Sequence, residues 1–240
     1  MRKLLLLSAL ALAASSQAAM PDSVYVKADV GPAWLQDVKI KDAGGVKMRF
    51  DTGVRADIGV GYQINPCWSV GLESGVVLNS VSRIGTEVPP PTTGGGSSVY
   101  ESGKADIYQV PLMAKVVYTF SLGSERFKPF IGAGAGGIWT DVNARFFAST
   151  ATGGGGGGDQ TFRRAAAASG GRTFRFEDND ITFGYEAFAG FKYALSDRVD
   201  IGVAYKFMGS LDHDWRDSGV KLKTDGIFTH SILAMVGFHF

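Results

Sequence analysis

Alternation of apolar and polar positions is the dominant pattern of this chain, and it is clearest at the C-terminal end. Counting back from Phe240 to Phe228, every second residue is apolar or aromatic, and His230 is the one exception. Side chains of a β-strand alternate between its two faces, so this pattern predicts a strand with one apolar face. Soluble domains rarely end on aromatic residues, because fraying chain ends would expose them to water.

Seven further segments show the same two-residue period and predict seven more strands. They are residues 24–34, 49–64, 68–79, 108–120, 127–139, 183–195 and 199–207. In residues 49–64, for example, Val54 and Ile58 fall on an apolar face, whereas Arg55 and Asp57 fall on the opposite face. The pattern therefore predicts an all-β chain of eight antiparallel strands in up-and-down order.

The predicted connections alternate between long and short. Long loops are expected near residues 35–46, 82–105, 143–180 and 209–226, and short turns at 65–66, 121–126 and 196–198. This alternation is typical of membrane barrels, which have long extracellular loops and short periplasmic turns. Residues 143–180 lack alternation and contain Gly153 to Gly158, so we expect a long loop that buries little area. The main alternative is a secreted β-sandwich with one buried face.

Aromatic residues concentrate near the ends of the predicted strands, as they do at the two interfaces of a membrane. We expect interface positions on the short-turn side at Trp68, Tyr118, Phe120, Tyr193 and Phe238, and on the long-loop side at Trp34 and Trp139. A soluble barrel of the lipocalin type would have the opposite polarity, with apolar side chains inside.

The alternating strands, the loop pattern and the terminal Gly237-Phe238-His239-Phe240 resemble the small eight-stranded outer-membrane barrels of bacteria. That family includes the OmpA transmembrane domain, OmpX and related surface antigens. The resemblance implies an eight-stranded antiparallel transmembrane β-barrel over residues 19–240. It further implies a non-enzymatic surface protein that contacts outer-membrane lipid, lipopolysaccharide and an extracellular ligand. Phe238 and Phe240 would form the signal that the barrel-assembly machinery recognises.

The N-terminal segment has the pattern of a cleavable secretory signal. Met1-Arg2-Lys3 precedes an apolar run from Leu4 to Ala14, and small residues follow at Ser16 and Ala18. The pattern predicts a signal peptide over residues 1–18. The apolar run is shorter than the roughly 20 residues that a membrane-spanning helix needs. Together with the resemblance, this places the mature protein in the outer membrane of a Gram-negative-type bacterium.

Charged residues fall on the face opposite the apolar one, with six of each sign. The basic set is Lys27, Arg49, Arg55, Lys115, Lys192 and Lys206, and the acidic set is Asp29, Asp51, Asp57, Glu73, Glu186 and Asp200. A charge that faces lipid at the bilayer midplane costs ~2–4 kcal/mol, so a bilayer would enforce this segregation. The balance predicts an ion-pair network that fills the lumen. Glycines on the same face leave volume, so a narrow passive porin-like channel for small solutes remains the alternative.

The composition and motifs of the chain argue against several other functions. The net charge of +1 argues against nucleic-acid binding, and a lone Cys67 without zinc-type spacing predicts neither a disulfide nor a metal site. Gly132-x-Gly134-x-x-Gly137 matches a dinucleotide-binding fingerprint, but no helical pattern follows it, so we expect no cofactor.

An outer-membrane lipid-modifying enzyme is the least favoured hypothesis. His230 and Ser231 are adjacent in a predicted strand, so their side chains would point to opposite faces and could not form a hydrolytic pair. His213 is surrounded by acidic residues, and we expect it in a solvated loop. Four arginines of the longest loop could contact lipopolysaccharide phosphates: Arg163, Arg164, Arg172 and Arg175.

Overall fold

The computed structural model of the chain describes residues 24–39, 46–86, 104–121, 126–147, 173–217 and 220–240. These residues form twelve strands and no helix that is long and apolar enough to cross a membrane. The strands are β1 Val24–Leu35, β2 Val38–Lys39, β3 Val46–Phe50, β4 Gly53–Gln63, β5 Trp68–Thr86, β6 Lys104–Thr119, β7 Phe127–Phe147, β8 Thr173–Ala194, β9 Val199–Ser210, β10 His213–Asp217, β11 Val220–Thr224 and β12 Phe228–His239. The expected signal peptide, residues 1–18, lies outside the described residues.

Eight of these strands close into an antiparallel barrel, which confirms the predicted fold. The order around the wall is β1, β4, β5, β6, β7, β8, β9 and β12, and β12 pairs with β1 from Tyr25–His239 to Leu35–Thr229. The short connections at residues 64–67 and 195–198 lie at one end, together with residues 120, 121 and 126 and with Phe240, and we call it the turn end. The opposite end is the loop end.

Several strands extend into segments that the sequence predicted as loops. β5 continues to Thr86, and β7 and β8 remain paired up to Phe147 and Thr173, so the prediction that residues 143–180 lack strand structure is wrong at both ends. The ladder continues because main-chain hydrogen bonds can hold two strands together without an apolar face. Apolar alternation is required only where one face meets lipid. Residues 87–103 and 148–172 lie outside the described part of the chain.

Two small hairpins occupy the other predicted loops. β2 pairs with β3, which continues along the loop-end part of β5, and β10 pairs with β11 from His213–Thr224 to Asp217–Val220. The second hairpin had a visible sequence signal, because Val220 and Leu222 alternate with Lys221 and Lys223. Residues 40–45 and 218–219 of these connections lie outside the described residues.

The wall has apolar side chains outside and charged side chains inside. Leu72 and Leu112 on the outer surface are 56 % and 60 % exposed, whereas Arg55 and Lys206 in the interior are 0 % and 1 % exposed. Soluble proteins bury apolar groups and expose charges, so this polarity excludes both the β-sandwich and the lipocalin-type alternatives. It is the distribution that a barrel adopts when its outer wall contacts lipid.

Aromatic rings gather at both ends of the wall. At the turn end Trp68 packs against Tyr118 with 4.9 Å between ring centroids, and Tyr118 packs against Phe120 at 5.0 Å. Tyr193 and Phe238 are 41 % and 43 % exposed at the same end. At the loop end Trp139 packs against Tyr108 at 5.8 Å, and Trp34 is 39 % exposed. These positions are those expected for interface aromatics, a role that stays a prediction.

A wall that faces lipid predicts a depth-dependent cost for a new charge. Leu112 lies midway along β6 and Ile64 lies in a turn-end connection, and their exposed fractions are similar, 60 % and 58 %. We expect Leu112→Lys to lower the free energy of unfolding by ~2–4 kcal/mol and Ile64→Lys by ~0–1 kcal/mol. Urea unfolding in lipid vesicles measures both. Equal costs for the two variants would contradict a lipid-facing wall.

Candidate functional site

The middle of the barrel contains a layer of buried charged side chains, which we call the charged layer. Strand alternation brings them inward from six strands, β1, β4, β5, β6, β8 and β9. Four are basic and four acidic: Lys27, Arg55, Lys115 and Lys206, and Asp29, Asp57, Glu73 and Glu186. Lys27 has a side chain that is 15 % exposed, and the other seven are at most 3 % exposed. The layer carries no net charge.

Lys206 lies at the centre of the charged layer. Its Nζ is 2.7 Å from Asp29 Oδ2, from Asp57 Oδ2 and from Glu73 Oε1. The three carboxylates have oxygens within 4.8 Å of one another, a grouping that could hold a metal ion. The ammonium group already lies among these oxygens and supplies the positive charge that they require. The geometry therefore gives no reason to assign a metal there.

The remaining cations connect the carboxylates into one network. Arg55 donates from Nε to Asp57 Oδ2 at 2.8 Å and from Nη2 to Glu186 Oε2 at 3.2 Å. Lys115 Nζ lies 2.6 Å from Glu186 Oε1 and also binds Glu73. Since a buried charge is costly unless it is paired and hydrogen-bonded, each carboxylate of the layer needs the cations around it.

Inward glycines provide the room for these side chains. A Cβ at Gly134 would lie 3.0 Å from Glu186 Oε1. A Cβ at Gly75 would lie 2.9 Å from Asp57 Cα and closer still to its carboxylate. The volume left by glycine is therefore occupied by charged side chains from neighbouring strands at these two positions.

Two residues predicted for the network lie outside it, and this is a correction. The Arg49 side chain is 46 % exposed and pairs with Asp37 at 3.4 Å, and Asp51 is exposed between β3 and β4. The ladder register shifts between Arg49 and Phe50, and residues 51–52 interrupt the strand. The inward parity counted along β4 therefore does not extend to them.

Two further predicted members form a separate group at the turn-end mouth. Lys192 Nζ is 3.8 Å from Asp200 Oδ2, and His239 Nε2 is 2.7 Å from the same oxygen. Together with Tyr25 and Lys27 they line a cavity of about 40 Å³. Phe130 and Phe188 lie between this mouth group and the charged layer.

The loop-end half of the interior contains a cluster of buried apolar side chains beside its polar ones, and the sequence prediction missed this cluster. We call it the apolar layer: Ala33, Leu35, Val38, Met48, Val77, Val81, Ile107, Met113, Ile138, Val142, Met208 and Ile227. The signal was present, because Ile138, Val142 and Met208 have inward parity in their strands. It was overlooked because inward positions were expected to be polar throughout.

His213 is fully buried, so the expectation of a solvated loop is wrong. Its Nε2 lies 2.8 Å from Ser210 Oγ, and its Nδ1 lies 3.3 Å from Asp180 Oδ2. Burial lowers the pKa of His213, against the opposing effect of the Asp180 and Asp212 carboxylates. Ser210 Oγ also accepts a hydrogen bond from the Ile227 N–H at 3.0 Å, and Ser210 is 3 % exposed. The three residues thus fasten the β10–β11 hairpin to the barrel rather than present a nucleophile.

Comparison with known proteins identifies the family. The outer membrane protein beta-barrel domain matches residues 4–240. This chain belongs to that family. It is therefore a β-barrel protein of the bacterial outer membrane, as the alternation and the inverted wall polarity indicated.

Relatives of this outer-membrane barrel include proteins described as candidate adhesins. One from Rickettsia massiliae is 31 % identical over 142 residues, which cover 57 % of this chain and 61 % of that protein. One from Rickettsia felis is 30 % identical over 142 residues with the same coverage. The chain thus spans 61 % of the length of these relatives.

Solved structures share the barrel fold at low sequence identity. The outer membrane protease OmpT from Escherichia coli is 7 % identical with a TM-score of 0.53, covering 92 % of this chain and 98 % of OmpT. OprG from Pseudomonas aeruginosa is 18 % identical with a TM-score of 0.49, covering 91 % of this chain and 97 % of OprG. At 7 % identity the similarity to OmpT concerns the fold alone.

The charged layer predicts different costs for two lysine substitutions in this outer-membrane barrel. Lys206→Met leaves three buried carboxylates without their shared cation, so we expect the free energy of unfolding to fall by about 3–5 kcal/mol. Lys192→Met removes a 3.8 Å contact of a lysine whose side chain is 23 % exposed, and we expect a loss below about 1 kcal/mol. Urea midpoints in lipid vesicles compare the two.

A second substitution tests whether charge imbalance causes the loss. Adding Asp29→Asn to Lys206→Met restores neutrality in the layer, so we expect the double variant to be more stable than the single one. If Lys206→Met costs no more than Lys192→Met, the lumen is hydrated enough to screen the carboxylates, and the buried network is refuted.

Proposed function

We propose that this protein is a non-enzymatic surface-interaction barrel whose loop end contacts an external ligand while the charged layer closes the lumen. The observation that carries the proposal is the complete burial of Arg55 and Lys206, which are 0 % and 1 % exposed near the middle of the barrel. They bind carboxylates that extend from four other positions around the wall.

Opening this lumen would be energetically costly. An eight-stranded barrel is just wide enough for side chains to fill. A solute that displaced Lys206 would separate it from Asp29, Asp57 and Glu73, and an unpaired buried charge costs about 3–5 kcal/mol. The apolar layer lies between the charged layer and the loop end. We therefore assign interactions to the loop end and not to the interior.

The described part of the loop end offers one row of basic positions. The register pairs Lys104 of β6 with Arg145 of β7, and Arg145 with Arg175 of β8. Like charges directly opposite one another in a sheet destabilise it, so this row favours an anionic partner. The description of the Rickettsia relatives as candidate adhesins is consistent with a ligand on a cell surface.

A narrow passive channel is the second candidate, and it is supported by polar groups in the interior. Side-chain atoms of Gln109, Thr140, Thr229 and Ser231 are buried without a hydrogen-bond partner among the described residues. Buried polar groups of this kind normally bind water. Water at these positions, together with the cavity at the turn-end mouth, would be the start of a path for small solutes.

Planar-bilayer conductance distinguishes the two candidates. We expect the refolded wild-type protein to give no steady single-channel steps. Lys206→Ala combined with Arg55→Ala removes two obstructing side chains but leaves the apolar layer in place, so we expect no steady steps from this variant either. Reproducible steps from the wild-type protein would refute the closed lumen and favour the channel.

Binding to a sulfated polymer tests the role of the loop end. Cells that display the protein should bind dextran sulfate beads, and not neutral dextran beads. Arg145→Ser combined with Arg175→Ser should reduce binding by at least tenfold, since each charged contact is worth roughly 1 kcal/mol or more. Lys128→Ser, an exposed cation at the turn end, is the matched control. Unchanged binding by the double variant would contradict the assignment.

The proposal includes two partners of the assembled barrel. Phe238 and Phe240 pack with 5.1 Å between ring centroids at the turn end, and we assign them to recognition by the barrel-assembly machinery. Removal of residues 1–18 would precede that step. Outer-membrane lipid surrounds the wall, and lipopolysaccharide would contact its loop-end rim.

A further inference from the structure

His230 is the one polar residue that interrupts the apolar outward face of β12. It lies on the outer wall near the loop end, and the ladder pairs it with Trp34 of β1 and with Phe207 of β9. A polar ring in a lipid-facing position needs partners or a function, because lipid offers no hydrogen bonds.

Both nitrogen atoms of the His230 ring are engaged. Nδ1 lies 2.6 Å from the Tyr205 hydroxyl, and Nε2 lies 2.6 Å from the side-chain amide of Gln36. The Gln36 N–H donates to the Phe228 carbonyl at 2.9 Å, which fixes the end of β1 beside β12. A neutral imidazole has one donor and one acceptor, so the hydroxyl and the amide take complementary roles. The hydroxyl oxygen and the rest of the amide keep free hydrogen-bonding capacity.

Aromatic rings frame this polar group. Phe207 and Phe228 are stacked at 6.0 Å and 12°, and Phe207 lies 5.2 Å from the His230 ring. Tyr185 extends the row at 6.4 Å from Phe207. Gly209 allows this, because a Cβ there would lie 2.7 Å from Cζ of Tyr185. Trp34, Tyr185 and Tyr205 are 39 %, 38 % and 47 % exposed.

The turn-end rim has a different composition. Trp68, Tyr118 and Phe120 pack ring edge to ring face at 4.9 and 5.0 Å, and this group contains no imidazole or amide. Both rims can anchor the barrel in the membrane through their rings. Of these two groups of described residues, the loop-end group is the one that combines ring faces with an imidazole, an amide and a hydroxyl at one place. It therefore offers more hydrogen-bonding groups than an aromatic anchor needs.

We propose that the loop-end group of Gln36, Tyr205, Phe207, Phe228 and His230 binds the sugar headgroup of an outer-leaflet glycolipid. A sugar ring has a face of polarised C–H groups, which packs on the electron-rich face of an aromatic ring. Its hydroxyls pair with phenol and amide groups. Aromatic belts lie at the level of the headgroups, so the membrane presents the sugar at this depth. The inference rests on the location in the outer membrane and is independent of the closed lumen.

Native mass spectrometry of the refolded protein with equal amounts of lipid A and phosphatidylglycerol tests the site. Both lipids carry phosphate, but only lipid A carries sugar rings. We expect the wild-type protein to retain lipid A preferentially. His230→Leu combined with Gln36→Leu keeps the wall apolar and removes the polar group, so lipid A retention should fall about five- to tenfold, as expected for losing one to two hydrogen bonds. Phosphatidylglycerol retention should not change.

Trp68→Leu at the turn-end rim is the matched control and should leave the preference for lipid A unchanged. A wild-type protein without preference would overturn the proposal, whatever the folding of the variants. An equal loss of both lipids in the double variant would show a general aromatic anchor and would also overturn it. Equally strong binding of the acyl-free disaccharide in solution would refute the membrane glycolipid as the occupant.

Discussion

The exclusion of charge from lipid is the constraint on which the rest of this structure depends. A charged side chain facing the bilayer midplane costs ~2–4 kcal/mol, so the strands must carry their charges on the inner face. The interior of an eight-stranded barrel is narrow, and unpaired charges there would be costlier still. The charged layer meets both conditions, because four cations and four carboxylates pair around Lys206. The charged layer also explains why glycine occupies positions 75 and 134, since a side chain at Gly75 or Gly134 would displace a carboxylate.

This constraint also separates the interior from the places where interactions can occur. The charged layer and the apolar layer lie one above the other in the lumen, and a cavity of about 40 Å³ lies at the turn-end mouth. The loop-end strands extend past the wall, where no strand face has to be apolar for contact with lipid and the sequence is freer to vary. Our two proposals therefore concern the loop end: a row of basic positions that are paired by the strand register, and a polar and aromatic group at the level of the lipid headgroups.

The sequence predicted those features that a two-residue period determines. The strands and their inward charges could be predicted from the alternation of apolar and polar residues. A wall that faces lipid keeps this alternation nearly unbroken, and in β12 a polar residue occupies a single outward position, His230. The alternation no longer tells which face a residue occupies once the strand is interrupted. Arg49 and Asp51 were therefore misplaced, since the register shifts at Arg49 and residues 51–52 are not in a strand.

Long-range packing explains the remaining errors. His213 lies in an acidic segment that suggests solvent, but its burial depends on Ser210 and Asp180, which are contributed by other strands. The apolar layer likewise joins residues from hairpin β2–β3 to inward positions of the wall, and no local pattern predicts that contact. The loop-end glycolipid group is a similar case, because Gln36 and His230 are 194 residues apart in sequence.

A double-mutant cycle in lipid vesicles tests most directly whether the central charges act as a dry, paired network. The pair Lys115–Glu186, at 2.6 Å and at most 3 % exposed, is compared with the mouth pair Lys192–Asp200, at 3.8 Å and up to 23 % exposed. With Met for lysine and Gln or Asn for the carboxylates, we predict a coupling energy of about 1.5 kcal/mol or more for the central pair and below about 0.5 kcal/mol for the mouth pair. A weak coupling of both pairs would mean that water screens the charges throughout the lumen, and it would contradict the account.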